Sequence, residues 1–354
     1  MKIAVFGAGA VGCYIGGRLA AGGAEVTLIG RPRLAPALAR GLELTDFDGG
    51  RVRTGPLRFA PGAEGAAGAD LVLICVKSRD TETAVALKAS LTPGIPIISL
   101  QNGIDNAATL ARVLEHPVVP GMVAFNVAWQ EEDALHRGTG GALHSGPVPD
   151  AVKGAFTAAG LPLQIHADMA PVLWAKLMLN LNNAINALSG LPLRAQLEQR
   201  DYRRCLALAQ EEFLALCHEA GQPLARLSPL PARWIPRVLR LPDPLFRLVA
   251  APMLAIDPLA RSSMADDLRT GRAPELDALN GAVARLAERL GRTAPVNARL
   301  TALVIEAART GRNLSASALL ADLRTVPAWA GAAAPAPPPG GEARPSPGPP
   351  PWIF

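Results

Sequence analysis

Short apolar runs alternate with amphipathic stretches over the first half of the chain. The runs have the length of β-strands, and they lie at 2–7, 24–30, 70–76, 95–100 and 117–124. Helical patterns fall between several of them, at about 79–91 and 105–115. Apolar strands separated by helices are typical of a parallel sheet that is covered on both faces. The pattern therefore predicts an α/β fold with a doubly wound, mostly parallel sheet.

The second half of the chain has a different pattern. Strand-like runs stop after about residue 168, and the periodicity becomes helical. We predict helices at about 169–190, 201–220, 232–255, 261–271, 275–290 and 296–310. The α/β domain is therefore expected over 1–168 and an all-α domain over 169–326. The segment 327–354 is rich in Pro and Gly and is expected to be a disordered tail.

Composition narrows the class of protein. The chain has 354 residues, enough for two domains. Hydrophobic residues make up 49% and charged residues 18%, which excludes a disordered chain. The net charge of +5 comes without a run of basic residues interleaved with aromatics, so we expect no nucleic-acid partner. Of the 35 lysines and arginines, five are lysines, so each lysine is a rare residue in this chain.

Targeting signals and metal motifs are not apparent. No stretch of 18 apolar residues is free of charge, and the N-terminal run lacks the charged region and cleavage site of a signal peptide. The four cysteines form no CxxC pair and have no histidine at metal-ligand spacing, so we expect neither a disulfide framework nor a metal site. We expect a soluble, cytoplasmic protein without a membrane span.

A glycine motif follows the first predicted strand and opens a helix. It fits G-x-G-x-x-G and comprises Gly7, Ala8, Gly9, Ala10, Val11 and Gly12. In such a turn the first glycine allows the tight bend, the second lets a pyrophosphate approach, and the third lets the helix pack on the strand. The helix N-terminus then offers free N–H groups to phosphates. This motif predicts a dinucleotide-binding Rossmann domain.

Three residues at strand ends are candidates for the cofactor site. Arg31 follows the second strand, where an acidic residue usually binds the ribose of NAD, and an arginine there suits a 2′-phosphate. We therefore predict NADP(H) as cofactor; the alternative is a solvated loop arginine. Lys77 and Asn102 follow the next two central strands, and either could contact the cofactor or be an ordinary turn residue.

The most apolar helix of the chain contains a lysine among asparagines. Lys176, Asn180 and Asn183 fall on one face at about 100° per residue, and leucines cover the rest. A partly desolvated lysine has a lowered pKa and can act as a general acid near neutral pH. The alternative is a lysine that snorkels from a core helix.

A third block lies downstream, at 262–281. It reads as a helix, a glycine turn and a new helix, with Ser263 near its start. Glu275 is expected in the first turn of the second helix, where the helix dipole favours an acid.

Together these blocks resemble the ketopantoate reductase (2-dehydropantoate 2-reductase) family. The resemblance runs from residue 1 to about 326 and rests on GAGAVG at 7–12, QNG at 101–103, the helix of Lys176 and Asn180, and SSM…DL…GR.PE.DALNG at 262–281. It implies a Rossmann domain, a helical C-terminal domain and a site between them. It also implies NADPH-dependent reduction of 2-dehydropantoate to (R)-pantoate in pantothenate biosynthesis.

The resemblance also assigns roles to residues of this sequence. It implies Lys176 as the catalytic proton donor, with Glu275 as a further catalytic residue at the cofactor side of the cleft. Arg31 and Lys77 match positions that hold the NADP phosphate and ribose. Contacts to substrate are implied for Asn102 and Asn180, and Ser263 is implied to bind the substrate carboxylate; Asn102 is also a cofactor contact. We add Asn183 as a substrate candidate because it shares the helix face of Lys176 and Asn180.

Three departures from the family pattern affect the substrate contacts. A second asparagine is often found eight residues after the lysine, but this chain has Ala184 there and Asn183 one residue earlier. A further asparagine is missing around Leu193, and the stretch 228–260 is longer and richer in Pro. These departures leave open which 2-oxo acid is reduced.

Two other functions compete with this one. A 3-hydroxyacid or 6-phosphogluconate dehydrogenase would also join a Rossmann domain to helices and use a lysine, but the block at 262–281 argues against it. A non-catalytic NADP-sensing module could recruit a partner through the Pro-rich tail. The expected partner is a small-molecule 2-oxo acid, and a homodimer stays open.

Overall fold

The computed structural model describes residues 1–254, 257, 258 and 260–327. Except for Pro327, the expected disordered tail at 327–354 lies outside the described residues. In the described part of the chain, no helix is long and apolar enough to span a membrane.

Within the described residues, the main sheet has eight strands in the order β12-β11-β8-β7-β6-β1-β2-β5. The six strands from β8 to β5 are parallel, whereas β11 pairs antiparallel with β8 and β12 parallel with β11. The predicted mostly parallel sheet is confirmed. The strands are β1 (Lys2–Phe6), β2 (Glu25–Ile29), β3 (Glu43–Asp46), β4 (Arg51–Arg53), β5 (Arg58–Ala60), β6 (Leu71–Ile74), β7 (Ile97–Ser99), β8 (Val119–Val123), β9 (Val127–Trp129), β10 (Ala134–Arg137), β11 (Leu143–Ser145) and β12 (Leu163–Ile165).

Both faces of this sheet are buried. Along β1, Ile3 and Val5 belong to one hydrophobic core, whereas Ala4 belongs to the core on the opposite face. The same alternation occurs along β6, because successive side chains of a strand point to opposite faces. This double burial explains why the strands read as continuous apolar runs rather than as alternating patterns.

The pattern did not predict a second sheet, which has four strands in the order β4-β3-β10-β9. Its strands have only three or four residues, and β3, β4 and β10 carry charged side chains, so the sheet gives no long apolar run. The sheet is anchored by Leu44 and Leu135, which pair across β3 and β10 and are fully buried. It packs against the first helix and contributes one wall of the cavity described below.

Fourteen α-helices are present in the described residues. The helical half is built around α8, which packs against α6, α7, α9, α12, α13 and α14. Short 3₁₀ segments occur at Pro32–Leu34, Ala63–Ala66, Ala232–Trp234 and Ala251–Leu254, and a longer one of 13 residues occurs at Ser78–Ser90. The helices are α1 (Ala10–Ala21), α2 (Ala35–Arg40), α3 (Asn106–Leu114), α4 (Asp150–Ala158), α5 (Ala170–Asn180), α6 (Asn182–Ser189), α7 (Leu193–Leu197), α8 (Arg200–Glu219), α9 (Ile235–Leu239), α10 (Asp243–Val249), α11 (Ser263–Arg269), α12 (Asn280–Arg289), α13 (Pro295–Thr310) and α14 (Ala316–Leu323).

Three predicted helices have different bounds in the structure. The helix expected at 169–190 is divided into α5 and α6. The one expected at 232–255 is divided into short segments, because prolines interrupt its backbone hydrogen bonding. The helix expected at 275–290 begins only at Asn280, so the prediction that Glu275 lies in its first turn is wrong. Glu275 instead lies in a loop, from which its carboxylate contacts the α/β half.

Candidate active site

The glycine motif forms a tight turn between β1 and α1. Gly7 has a φ of +108°, and a Cβ there would lie 2.5 Å from the backbone N of Val76. A Cβ on Gly12 would lie 2.2 Å from the carbonyl O of Gly7, so the helix starts directly against the turn. A Cβ on Gly9, in contrast, would meet nothing within 4 Å. The turn therefore fits a dinucleotide: it leaves open space at Gly9, beside the free N–H groups that begin α1.

Arg31 lies next to this turn. A Cβ on Gly30 would be only 2.6 Å from the Cβ of Ala8, so the end of β2 and the glycine turn are in close contact. The next residue, Arg31, is exposed and makes no ion pair within the described residues. Its guanidinium is therefore available to a phosphate, and no carboxylate occupies the end of β2.

Lys77 and Glu275 meet at a seam between the two halves of the molecule. The Nζ of Lys77 lies 3.0 Å from the carboxylate of Asp267 and 3.3 Å from that of Glu275. The other oxygen of Glu275 accepts a hydrogen bond from the backbone N–H of Ser78 at 2.8 Å. Both carboxylates are almost fully buried, whereas the Lys77 side chain is 35% exposed. We call these four residues the seam.

Asn102 connects the seam with the main cavity. Its Nδ2 lies 3.4 Å from Oε2 of Glu275, and its side chain also lines the cavity. Its backbone carbonyl accepts hydrogen bonds from the side chains of Ser78 and Asn106. The loop after β7 is thus fixed on both sides, which holds the Asn102 amide at the cavity wall.

The main cavity has a volume of about 490 Å³ and lies between the α/β half and the helical half. Val11 of the glycine turn and Leu100 line its α/β side. Six of the residues predicted from the sequence line it together: Val11, Asn102, Lys176, Asn180, Asn183 and Ser263.

Lys176 projects into this cavity from α5. Ala175, Leu177 and Met178 beside it are buried in the core. No described residue forms a hydrogen bond or an ion pair with its ammonium. Burial lowers the pKa of Lys176 from 10.5 to about 8. A lysine with such a pKa is charged at neutral pH but readily gives up its proton, as a general acid requires.

The break between α5 and α6 determines which asparagines reach the cavity. Asn180 ends α5 and Asn182 begins α6, with Leu181 between them. Asn183 then lines the cavity, whereas Ala184 is fully buried in the helical core. The residue that departs from the family pattern is therefore not at the cavity wall, and the asparagine one position earlier is.

Ser263 lies at the start of α11, in a segment that is held firmly. The preceding Ser262 caps the helix, because its Oγ accepts a hydrogen bond from the N–H of Ala265 at 3.2 Å. The backbone N–H of Ser262 donates to Oδ1 of Asn186 at 2.9 Å. The fully buried Asn186 was not predicted as a site residue, although it fixes the Ser262–Ser263 segment against α6.

Of the predicted cofactor residues, Val11 and Asn102 line the main cavity, and the other eight, including Arg31, Lys77 and Glu275, lie outside its lining. Glu275 lines a smaller cavity of about 220 Å³ together with Ser78. Lys77 lies with it at the seam rather than in open space.

Other residues line the main cavity but were not predicted from the sequence. Asn126, Trp129 and His136 come from the small second sheet or the loop before it, whose strands gave no apolar signal. Arg261 lies two residues before Ser263, so its position next to the SSM motif was the available signal.

A dinucleotide-type sheet and a helical half that meet at a cavity lined by a lysine without an ion-pair partner among the described residues define the class of two-domain oxidoreductases. Comparison with known proteins specifies the family. The model for "Ketopantoate reductase PanE/ApbA" matches residues 3–150, and the model for its C-terminal part matches residues 168–308.

Individual relatives agree with this result. The 2-dehydropantoate 2-reductase of Halobacterium salinarum is 30% identical over 322 residues, which cover 88% of this chain and 100% of the relative. A PanE/ApbA family ketopantoate reductase structure from Ralstonia eutropha is 33% identical, with a TM-score of 0.74, and covers 87% of this chain and 99% of its own. The chain belongs to the ketopantoate reductase family.

A more distant structure shares the fold. D-mandelate dehydrogenase, in a ternary structure with NADH and anilino(oxo)acetate, has a TM-score of 0.72 at 18% identity and covers 88% of this chain and 99% of its own. At this level of identity the similarity concerns the fold alone.

Proposed function

We propose that this protein is an NADPH-dependent reductase that converts 2-dehydropantoate to (R)-pantoate, a step of pantothenate biosynthesis. The observation that carries the proposal is the position of Lys176, unpaired among the described residues in a cavity that extends from the glycine turn to Ser263. In this proposal the protein acts in the cytoplasm on a small molecule, with a Rossmann domain over 1–168 and a helical domain over 169–326.

The cofactor would be held by residues of the α/β half. The open space at Gly9 and the first N–H groups of α1 fit the pyrophosphate, and the exposed Arg31 fits the 2′-phosphate of NADP. The cofactor supplies a hydride to the carbonyl carbon of the substrate. NADH is the alternative cofactor to test, because the D-mandelate dehydrogenase structure contains it.

Lys176 donates the proton that the reduced carbonyl oxygen needs. The ammonium is protonated at neutral pH, and its lowered pKa makes the transfer to a developing alkoxide easier than from an exposed lysine. Loss of the proton also removes a charge from a low-dielectric site, which relieves the desolvation cost. Protonation from solvent then restores Lys176 before the next turnover.

The neighbouring polar side chains orient the substrate. The amides of Asn180 and Asn183 lie one and two turns beyond Lys176 and can bind the carbonyl oxygen and the hydroxyl of the substrate. Ser263 can donate to the carboxylate. Asn102 would contact both substrate and cofactor, since it extends from the α/β half. Glu275 and Lys77 contribute by holding the two halves together at the cofactor side.

The test is NADPH absorbance followed with purified protein and a panel of substrates. We expect rapid oxidation with 2-dehydropantoate, slower oxidation with pyruvate, and a lower rate with NADH. A preference for a 3-hydroxyacid, measured as NADP⁺ reduction, would contradict the proposal. So would the absence of NADPH oxidation with every 2-oxo acid, which would instead favour a non-catalytic NADP-binding module.

A further inference from the structure

Arg261 is a cation at the main cavity with no role in the proposed reaction. We propose that Arg261 forms an anion subsite at the far end of this cavity, so that the enzyme also reduces 2-oxo acids that carry a second, terminal carboxylate. This inference rests on the proposed function, because it uses the same reductase chemistry at Lys176.

The backbone on either side of Arg261 is fixed by three hydrogen bonds. The carbonyl of Ala260 accepts from the N–H of Leu193 at 2.8 Å. The N–H of Ser262 donates to Asn186 at 2.9 Å. The carbonyl of Arg261 itself lies 3.4 Å from Nδ2 of Asn126, which comes from the α/β half. The side chain therefore starts from a preorganised position.

One edge of the guanidinium is already bound. The Nη1 of Arg261 donates to the carbonyl of Gly190 at 2.7 Å, at the residue that ends α6. A guanidinium has five N–H donors, and within the described residues this is the hydrogen bond that the side chain makes. Because Arg261 lines the cavity, the remaining donors are available for a carboxylate in a bidentate arrangement.

The charges around the cavity leave two cations without an ion-pair partner among the described residues. The cavity is lined by Lys176, Arg261 and Arg269 and by the carboxylates of Asp257 and Asp266. Arg269 lies 3.8 Å from Asp266, and Asp257 lies 3.5 Å from His136. Lys176 and Arg261 form no ion pair of their own among the described residues, although Asp266 lies close enough to Arg261 to interact with its charge. A diacid can therefore place one carboxylate at each of these two cations, whereas a monoacid can reach only one of them.

The length of α6 indicates how far the Arg261 guanidinium lies from the end of the cavity at Ser263. Ser262 is held beside Asn183 and Asn186, while the Arg261 guanidinium reaches on to Gly190. Seven residues of helix, from Asn183 to Gly190, span about 10 Å. A 2-oxo acid group held near Lys176 and Ser263 therefore needs a chain of several carbons before its terminal carboxylate meets Arg261.

The alternative role of Arg261 is structural. Its hydrogen bond to Gly190 satisfies a carbonyl at the C-terminus of α6, where a cation is favourable. A purely structural arginine would affect all substrates equally, whereas a subsite would affect only diacids.

The experiment measures kcat and KM with saturating NADPH for matched pairs of substrates. 2-Oxopentanedioate is compared with 2-oxopentanoate, and 2-oxohexanedioate with 2-oxohexanoate, beside 2-dehydropantoate. We expect the wild-type protein to use the better diacid with a kcat/KM at least tenfold above that of its monoacid. Arg261→Gln should raise KM for that diacid about 10–100-fold, because a charge-assisted bidentate contact is lost. KM for the monoacids should change less than threefold.

Two further variants separate the subsite from a structural role. Arg261→Lys keeps the charge and should recover part of the diacid KM. Arg269→Gln removes another cation of the same cavity, one that is paired with Asp266, and should change diacids and monoacids by the same factor. Thermal unfolding of each variant verifies that it is folded.

The outcomes distinguish this inference from the proposed function. If 2-dehydropantoate is reduced but no diacid is, the subsite is wrong and the reductase stands. An equal rise of KM for diacids and monoacids in Arg261→Gln would also overturn the subsite. If NADPH is oxidised with no 2-oxo acid of either kind, both proposals fail.

Discussion

The helical half and the α/β half, which each form one wall of the main cavity, present their polar groups in opposite ways. On the helical wall, Lys176 lies in an apolar helix with no ion-pair partner in the described residues, and its pKa falls to about 8. At the edge of the α/β half, Lys77 lies between the carboxylates of Asp267 and Glu275. A lysine without an ion-pair partner keeps a reactive ammonium, whereas a lysine between two carboxylates is held in place by them.

This difference suggests a division of labour between the two walls. The α/β half offers backbone N–H groups, the exposed Arg31 and a fixed loop at Asn102, which suit the binding and positioning of a cofactor. The helical wall offers an acid and amides, which suit the reaction at a carbonyl. Substitutions confined to one wall test this division.

The largest expected effect is on the helical wall. Lys176→Met should lower kcat about 10²–10⁴-fold, because the proton donor is lost, while Kd for NADPH measured by fluorescence stays within twofold. Without the cost of burying an ammonium, the variant should also unfold at higher temperature at pH 7. The matched control is Lys153→Met, at an exposed lysine on α4. If Lys176→Met keeps most of its kcat, the division between the walls is wrong.

The second effect is on the α/β wall. Arg31→Ala should raise Kd for NADPH about 10–100-fold, because a charge-assisted contact to the 2′-phosphate is lost, and should raise Kd for NADH less than threefold. Arg33→Ala, at an exposed arginine of the same loop, is the control and should change neither by more than threefold. Equal losses for both cofactors in Arg31→Ala would refute the phosphate contact.

The pH dependence tests the helical wall without a change in sequence. Burial disfavours the charged form of Lys176, so its folded pKa of about 8 lies below its ordinary value of 10.5. The reaction needs the protonated form, so kcat/KM for the 2-oxo acid should be level below pH 8 and fall about tenfold per unit above it. In Lys176→Met the residual rate should lack this break. A wild-type profile that stays level up to pH 10 would contradict the assignment.

Motifs of residues close in sequence predicted functional residues on both walls of the cavity, although not the contacts between the two walls. The glycine turn and the helix of Lys176 were found because each depends on residues that are close in sequence. The offset of seven between Lys176 and Asn183 survives the break at Leu181, so both line the cavity. The clustering of Asn102 with these residues followed from the rule that ligands bind at the carboxyl ends of parallel strands.

Contacts between distant segments could not be predicted in this way. Glu275 was expected in a helix because an acid there suits the helix dipole, but its carboxylate instead accepts from Ser78, 197 residues earlier. The second sheet was missed because its strands have only three or four residues, three of the four strands carry charged side chains, and they are stabilised by packing on α1 rather than by an apolar pattern. For the same reason Trp129, on β9, was not recognised as part of the cavity wall.

The smallest expected effect concerns the seam. Lys77→Met leaves two buried carboxylates with fewer partners, although Arg272 still pairs with Asp267 at 3.0 Å and Ser78 still donates to Glu275. Because Lys77 is partly exposed and these partners remain, we expect the free energy of unfolding in urea to fall by about 1–2 kcal/mol rather than the larger loss typical of a fully buried pair.

A double variant separates the pair from other effects of Lys77→Met. Glu275→Gln added to Lys77→Met should cost less than the sum of the two single changes, because the contact between these residues can be lost only once. The surface pair Lys88–Glu115 is the control, and Lys88→Met there should change stability by less than about 0.5 kcal/mol. Additive losses in the double variant would mean that Lys77 and Glu275 act independently, and the seam would then not be the contact that joins the two walls.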